Sequence, residues 1–295
     1  MMQNTESKGL LVLFYACIAV FAAVCLVPFI LAVSGSLSTE SRIAAEGYSF
    51  WPRGFTFETY QFLFGSKAEQ ILRAYSMSVI VTVLGTVSAV LVTTAYAYVI
   101  SVKSFRPRNV FAFFAYFTML FSGGTLPWFL LSTKYYHLGD TLLGLFVPYL
   151  LSVFLMFLMA NYFRSIPHEI VESAQIDGAG HLRIFGSIML PLGRVGLVTI
   201  SLFYALQFWN DFYLPLMLVS DQDLYTIQYL MYNMMANIQF LASGNAANVG
   251  GAIIAPPLET AKMAMTCLTV LPIAILYPFL QGFFVKGIVV GSVKG

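Results

Sequence analysis

The sequence has 295 residues, of which 59% are hydrophobic and only 9% are charged, with a formal net charge of +2. Soluble domains carry about 25% charged residues, so a chain this poor in charge cannot cover a soluble globule with polar groups. The composition therefore excludes a soluble enzyme, an intrinsically disordered chain and a nucleic-acid-binding protein. It indicates a protein that crosses a membrane several times.

Six apolar runs are long enough to cross about 30 Å of hydrocarbon. The first, residues 10–33, has no charged residue and is longer than the apolar core of a signal peptide, so we expect an uncleaved helix rather than a signal peptide. The third contains Ser122-Gly123-Gly124, where a helix can break. The sequence thus predicts an all-α membrane protein with six transmembrane helices, at about 10–33, 73–102, 109–129, 141–162, 195–219 and 264–284.

Basic residues beside the apolar runs predict the orientation, because Lys and Arg are enriched in cytoplasmic segments. With a cytoplasmic N-terminus, nine of the 15 Lys and Arg residues fall in inner segments. The cluster of Lys103, Arg106 and Arg108 is the most informative, since it stands directly beside two spans. We therefore expect both the N- and the C-terminus to be cytoplasmic.

Two external loops, residues 34–74 and 220–260, are longer than a simple connection needs. Within the second, apolar residues recur at helical spacing over 224–241, which predicts an amphipathic helix on the membrane or protein surface. This helix is either a lid that packs on the helix bundle or a docking surface for an external partner. The glycine-rich stretch at 243–257 is predicted to be flexible.

One inner loop, residues 163–191, is much richer in polar groups than a connection needs. Pro167 suits the first turn of a helix, and Glu169 and Glu172 lie near that turn, where the helix dipole favours negative charge. Gly178-Ala179-Gly180 predicts the end of the helix, because glycine readily takes the left-handed cap conformation. We expect two short helices joined by a turn and lying parallel to the membrane, with Leu190-Pro191 opening the fifth span.

The spacing of this loop carries a family resemblance. Glu172-Ser173-Ala174, Gly178, Ile188 and Leu190-Pro191 match the pattern Glu-Ala-Ala, three residues, Gly, nine residues, Ile, one residue, Leu-Pro, with Ser173 as the only departure. The chain in this respect resembles the permease subunits of bacterial ABC importers. The extended form found in carbohydrate importers also fits, through Ser165-Ile166-Pro167, Ile176-Asp177-Gly178-Ala179, Phe185 and Leu190-Pro191-Leu192, although Val195 stands where a proline is usual.

The resemblance extends from about residue 76 to the C-terminus. Trp209-Asn210-Asp211-Phe212 and Pro215-Leu216 resemble the fifth-helix signature of maltose-type permeases. Phe121-Ser122-Gly123-Gly124 and the tail over 271–295 resemble a branch that handles complex polysaccharides with lipoprotein receptors.

The resemblance implies a single permease domain over 1–295 with the type I ABC importer permease fold, in the bacterial plasma membrane. Its implied partners are a second homologous permease subunit, two copies of a cytoplasmic ABC ATPase, an external substrate-binding lipoprotein and membrane lipid, but no nucleic acid. The short helix near Glu172 would be the coupling helix that docks on the ATPase. The implied coupling residues are Glu169, Glu172, Ser173, Ala174, Ile176, Asp177, Gly178, Ala179, Gly180, Leu190 and Pro191.

The chain itself carries no sequence for energy conversion. A phosphate-binding loop needs a Gly-Lys-Ser/Thr context, and none of the basic residues has one. His137, His168 and His181 are separated in the sequence and suggest neither a metal site nor a nucleophile–base pair. We therefore expect no catalytic residue, metal or cofactor on this chain, and we expect ATP and Mg²⁺ to bind the partner ATPase subunits.

The fifth span carries an unusual set of polar side chains, which in a membrane tend to face a cavity or a helix interface. Tyr204, Gln207 and Asp211 are spaced by three and four residues and therefore share one face. They form either part of a glycan path or polar contacts between helices. The substrate-path candidates are Tyr204, Gln207, Trp209, Asn210 and Asp211.

Two other function classes remain open from the residues alone. A membrane enzyme acting on lipid-linked sugars would use Asp211, Asp221 and Asp223, but these lack a basic or metal-binding partner in the sequence. A secondary transporter would need coupling ions and usually internal repeats, and we see no clear repeat. Dependence of uptake on ATP under a clamped ion gradient separates the two transport classes.

Overall fold

The computed structural model describes residues 3–65, 68–242 and 257–292. Every regular element in these ranges is helical, and no strand occurs in them. In chain order the helices are α1 (Gln3–Ser36), α2 (Glu40–Glu46), α3 (Glu58–Gly65), α4 (Ala68–Ser101), α5 (Arg108–Leu120), α6 (Thr125–Leu130), α7 (Val153–Arg164), α8 (His168–Ile176), α9 (His181–Ile184), α10 (Leu190–Leu192), α11 (Arg194–Asn210), α12 (Tyr213–Leu218), α13 (Ile227–Ala242) and α14 (Leu258–Ser292).

Three helical stretches are long and apolar enough to cross a membrane, namely Gly9–Ser36, Ala68–Ser101 and Leu258–Ile275. Three pairs of helices bent by 56–114° raise the number to six if each pair is one span. The side chains of residues 9–30 of α1 are almost all exposed, as expected for a helix that faces lipid, whereas Ala32, Ser34 and Ser36 at its end are buried. The expected all-α membrane architecture is therefore confirmed, with up to six spans.

The predicted break in the third span is confirmed, because α5 ends at Leu120 and α6 begins at Thr125 with a bend of 114°. The fourth and fifth spans are also interrupted, which differs from the continuous helices expected. In the fourth, the turns Leu143–Leu145 and Val147–Tyr149 precede α7, since Pro148 cannot donate a helical hydrogen bond. In the fifth, Leu190-Pro191 does not open one continuous helix, because α10 and α11 are separated at Gly193 with a bend of 82°. α11 then ends at Asn210, and the Asp211 carboxylate accepts the first amides of α12.

The described chain forms two compact units. The first comprises residues 1–68 and 233–274. Within it, the Glu40 carboxylate accepts hydrogen bonds from the backbone amides of Glu259 (2.9 Å) and Thr260 (2.8 Å) and from the Thr260 hydroxyl. Because the first amides of a helix have no partner inside it, Glu40 caps α14 across a long stretch of sequence.

The second unit comprises residues 69–232 and 275–295. Its interior includes α4, α7 and α11, whose fully buried side chains include Met156, Ile200 and Phe208. Gly85 allows α4 and α11 to approach each other closely, because a Cβ at this position would lie 2.9 Å from the Phe208 ring of α11. Apolar packing and small residues at helix contacts stabilise such bundles in lipid.

The predicted amphipathic helix over 224–241 is confirmed as α13. Its apolar side chains Ile227, Leu230, Met231 and Met234 are buried, as expected for a helix that packs on the protein. The predicted flexible stretch at 243–257 lies almost wholly outside the described residues.

Candidate functional site

The 163–191 loop contains two short helices, as the sequence predicts. Pro167 has φ −54° and ψ 133° directly before α8, where its fixed φ is compatible with helix entry. Glu169 lies in the first turn, and Glu172 is 3.6 Å from the His168 ring one turn earlier. This pair is exposed to solvent, so it adds little to the stability of the helix.

Gly178 ends α8 through a hydrogen-bonding pattern that explains its place in the sequence. Its φ of +80° lies in the left-handed region, which costs a residue with a Cβ about 1–2 kcal/mol. The Gly178 amide donates to the Gln175 carbonyl at 3.0 Å, and the Ala179 amide donates to the Ala174 carbonyl at 2.9 Å. This is a Schellman motif, in which the two bonds satisfy the last carbonyls of the helix.

The second half of the loop is anchored by buried side chains. Ile184 of α9 is fully buried, and Met189 at the end of a π-helical turn (Phe185–Met189) is also buried. The turn leads into α10, where Pro191 stands near the start and remains exposed. One end of the loop is thus fixed to the second unit, whereas α8 has no buried residue.

Tyr98 of α4 holds α9 against the spans. Its hydroxyl lies 3.0 Å from Nδ1 of His181, and its ring contacts those of Phe163 and Phe185 at centroid distances of 6.4 and 5.2 Å. Tyr98 is itself buried. The loop is therefore joined to the last turn of α4 and to α7 by one side chain, which sequence spacing could not reveal.

Two large apolar side chains of the loop project into solvent. Ile176 at the end of α8 is 86% exposed, and Leu182 in α9 is 88% exposed. Isolated exposed apolar residues are common, but two on either side of one glycine turn form an apolar pair suited to bind a partner protein. Ile176 was among the residues predicted from the sequence, whereas Leu182 was missed because a leucine in a short helix resembles a core residue.

The structure brings most of the predicted loop residues together. Five belong to α8 and four to the turn after it, while Leu190 and Pro191 stand in α10, beyond the π-helical turn. Ser173 fits the helix because its hydroxyl donates to the Glu169 carbonyl at 2.8 Å. The Ser173 departure from the usual alanine is therefore compatible with a regular helix.

A cavity of about 800 Å³ lies beside the loop, between α8 and the ends of α4, α5 and α7. Lys103, Arg108 and Arg164 line it, and no carboxylate of the described residues lies within 4 Å of their nitrogen atoms. Arg164 donates to the Ile100 carbonyl at 3.3 Å. Three cationic side chains near the ends of α4, α5 and α7 thus line this cavity, and Glu169 of α8 lines it as well.

The polar residues of the fifth span fall into two groups. Tyr204 is fully buried, and its hydroxyl bonds to the Thr93 hydroxyl (2.5 Å) and accepts from the Ser152 amide (2.8 Å). Trp209 is also buried, while Gln207 and Asp211 are half-buried. Asn210 is exposed and donates to the Leu206 carbonyl of its own helix at 2.8 Å. Tyr204 thus joins helices, whereas Asn210 is accessible from outside the chain.

Comparisons with known proteins agree with this architecture. Residues 62–290 match the family described as "binding-protein-dependent transport system inner membrane component". The chain is 34% identical over 285 residues to the polygalacturonan/rhamnogalacturonan transport system permease protein YtcP of Bacillus subtilis (strain 168), covering 96% of this chain and 97% of that protein. It is 33% identical over 273 residues to Protein LplC of the same organism, covering 92% and 90% of the two chains.

A solved structure has the same fold. A chain of the crystal structure of a bacterial ABC transporter involved in the import of the acidic polysaccharide alginate superposes with a TM-score of 0.79 and 26% identity, covering 96% of this chain and 99% of that one. The chain thus has the fold of an ABC transporter permease. The chain belongs to the family of binding-protein-dependent transport system inner membrane components, the membrane-embedded permease subunits of ABC transporters.

Proposed function

We propose that this chain is one of two permease subunits of an ATP-driven importer of oligo- or polysaccharides. In this proposal the 163–191 loop is the coupling loop, which docks on the ATPase. The observation that supports this role is that α8 is exposed, ends at Gly178, and has the apolar side chains Ile176 and Leu182 in solvent beside its end. Movement of the docked loop, driven by ATP hydrolysis on partner subunits, would be passed to the spans and would open the path alternately to each side.

The anchoring of the loop supports a coupling role. α8 is free to be covered by a partner, while α9 and the π-helical turn are held by Ile184, Met189 and Tyr98. A force applied to α8 is therefore transmitted to α4 and α7 through packed side chains, the kind of contiguous contact that coupling requires.

The class of substrate is proposed from the relatives. The name of one relative refers to polygalacturonan and rhamnogalacturonan, and the solved structure is of a transporter involved in the import of alginate. All three are acidic polysaccharides, so we propose an oligosaccharide of this kind as the substrate. An external binding lipoprotein would deliver it, and ATP with Mg²⁺ would bind two copies of a separate ATPase subunit.

The remaining expectations from the sequence complete the proposal. We propose that the whole chain acts as one permease domain in the bacterial plasma membrane with both termini in the cytoplasm. The second permease subunit would supply the other half of the path, because six spans enclose only one side of it. Eleven residues of the loop, from Glu169 to Pro191, would carry the contact with the ATPase.

Docking is tested on the complete transporter. Ile176→Asp together with Leu182→Asp should reduce co-purification of the ATPase at least about 10-fold, because two apolar anchors become charged. The pair of permease subunits should stay together. Gln175→Asp is the control for an added negative charge that removes no apolar side chain, since this exposed neighbour lines the cavity and gains one of the two charges. Equal ATPase recovery in all three proteins contradicts the docking role.

Transport is tested separately in cells that lack this chain. Restoring it should restore uptake of labelled oligogalacturonides or alginate oligosaccharides, and ATP depletion under a clamped ion gradient should abolish that uptake. Uptake that continues without ATP would assign the chain to a secondary transporter. Unchanged uptake of every acidic oligosaccharide in its absence would overturn the substrate class.

A further inference from the structure

Backbone groups at membrane depth need partners, because hydrocarbon offers none. Three spans of the second unit are interrupted by non-helical backbone, at residues 121–124, 150–152 and 211–212. The hydrogen-bond partners of the backbone at each break therefore indicate whether protein, water or lipid surrounds that break.

Side chains pair some of the backbone groups at two of the breaks. The Ser152 amide donates to the Tyr204 hydroxyl at 2.8 Å, and the Ser152 hydroxyl accepts from the Leu155 amide. At the other break, the two oxygens of Asp211 accept from the amides of Tyr213 and Leu214, each at 3.2 Å. At both breaks a side chain thus binds freed amides, although the Leu151 and Phe212 amides have no hydrogen-bond partner among the described residues.

The break at 121–124 is different. All four residues are exposed, and no side chain from outside the break pairs with their backbone among the described residues. The bonds found there are from the Phe121 amide to the Phe117 carbonyl, from the Gly124 amide to the Ser122 hydroxyl, and from the Trp128 amide to the Gly124 carbonyl. Within the described residues, the amides of Ser122 and Gly123 and the carbonyls of Phe121, Ser122 and Gly123 have no hydrogen-bond partner.

We expect this break to lie within the membrane, because α5 starts at Arg108 of the basic cluster that is predicted to stand at the inner surface. α5 has 13 residues, which at about 1.5 Å per residue carries the chain about 20 Å from Arg108 into a core of about 30 Å. Lipid cannot satisfy the unpaired amides and carbonyls at that depth. The segment must face either water or a polar surface.

We infer that residues 121–124 line the water-filled path and offer their peptide groups to the hydroxyls of a passing saccharide; this inference rests on the proposed function. Saccharide hydroxyls both donate and accept, as do these peptide groups. A helix of a partner permease has its own backbone already paired, and it could satisfy the break only with side chains placed opposite each group. Water and a saccharide need no such placement.

The side chains around the break fit this ligand. Gly123 has no side chain, and a Cβ there would meet nothing within 4 Å, so a ligand can approach its backbone. Gly124 has φ +88°, a conformation that favours glycine. The rings of Phe117 and Phe121 stack at a centroid distance of 4.5 Å beside them and offer an apolar wall for the C–H face of a sugar ring.

Thiol labelling of the complete transporter in membrane vesicles with MgATP tests the inference. Cys17, Cys25 and Cys267 are first replaced by serine, and Ser122→Cys and Gly123→Cys are then treated with a charged, membrane-impermeant methanethiosulfonate. Val20→Cys in the middle of α1, at a residue 64% exposed, is the control for a lipid-facing position. We expect the first two to react at least about 10-fold faster than the control.

The outcomes are decisive in each direction. Labelling rates equal to that of Val20→Cys overturn the inference. A photo-crosslinker attached to the thiol of Ser122→Cys gives a second test, and crosslinks formed mainly with the partner permease also overturn the inference. If labelling is fast and becomes slower when oligogalacturonides or alginate oligosaccharides are added, the saccharide contact is supported. If labelling is fast and neither saccharide slows it, the saccharide contact is overturned. Because labelling needs no transport, fast labelling without any saccharide uptake rejects the proposed function alone.

Discussion

The hydroxyl of Tyr98 lies 3.0 Å from Nδ1 of His181, although the two residues are 83 positions apart in the sequence. This bond joins the last turns of a membrane span to α9 in the loop that we propose to dock on the ATPase. Tyr98→Phe removes the bond and keeps the ring contacts with Phe163 and Phe185. We expect saccharide uptake per ATP hydrolysed to fall about 2- to 30-fold, which corresponds to the 0.5–2 kcal/mol typical of changes along a coupling network.

The stability of the Tyr98→Phe protein should change little. A hydrogen bond between membrane helices contributes about 0.6 kcal/mol, so the melting temperature in detergent should remain close to that of the native chain. Tyr96→Phe is a matched control, because the Tyr96 hydroxyl donates to the Phe111 carbonyl and does not contact the loop. An equal loss of uptake per ATP in both variants contradicts the role of the Tyr98–His181 bond.

Gly178 should tolerate asparagine better than alanine. Its φ of +80° strains a residue with a Cβ by about 1–2 kcal/mol, whereas asparagine visits this region more readily. Gly178→Ala should therefore increase hydrogen exchange at the amides of residues 178 and 179, which hold the end of α8. Gly180→Ala is the control, since Gly180 has φ −72° and open space at its Cβ. Similar exchange in all variants would show that the turn does not depend on glycine.

Tyr204 and Asn210 should respond differently to substitution. Tyr204→Phe leaves the buried Ser152 amide without its partner, which costs about 1–3 kcal/mol, so the melting temperature should fall. Asn210→Ala removes only an exposed contact within its own helix, so stability should hold while saccharide uptake falls if the residue lines the path. Loss of uptake without loss of stability in Tyr204→Phe would reverse this assignment.

Asp140 should stabilise the fold in a pH-dependent way. Its carboxylate accepts hydrogen bonds from the amides of Ser220 (2.5 Å) and Asp221 (2.9 Å), which lower the pKa of the carboxyl below its ordinary value of 3.8. A group whose pKa is lowered by folding stabilises the protein above its ordinary pKa, and this contribution disappears as the pH falls through the lowered pKa.

Asp140→Asn removes the charge but keeps a residue that tolerates the φ of 49° at this position. We expect its melting temperature to lie below that of the native chain by a constant amount at every pH above about 5. The two values should converge as the pH falls below 3.8. A difference that persists at low pH would show that the carboxylate charge is not the cause.

The features that could be predicted from the sequence are local ones. The break after Leu120 follows from Ser122-Gly123-Gly124, and the end of α8 follows from Gly178, because glycine takes backbone conformations that other residues avoid. The helix at 227–242 follows from apolar residues at helical spacing. In each case the residues that cause the feature lie within a few positions of it.

The features that the sequence did not reveal depend on distant residues. The break at 150–152 is satisfied by Tyr204, which lies 52 positions away from Ser152. The exposure of Leu182 could not be read from the sequence either, because hydrophobicity alone does not distinguish a core leucine from an anchor for a partner. Only the packing of α9 through Ile184 leaves Leu182 in solvent.

The cap that Glu40 places on α14 has a consequence for biosynthesis. Glu40 leaves the ribosome 220 residues before Thr260, and at about 5–20 residues per second this separation takes about 10–40 s. During that time the carboxylate and its surroundings must wait in or beside the membrane without their final partner. The unit that contains the first span therefore stays incomplete until most of the second unit has been made. A chain cut before residue 258 lacks the amides that the Glu40 carboxylate binds.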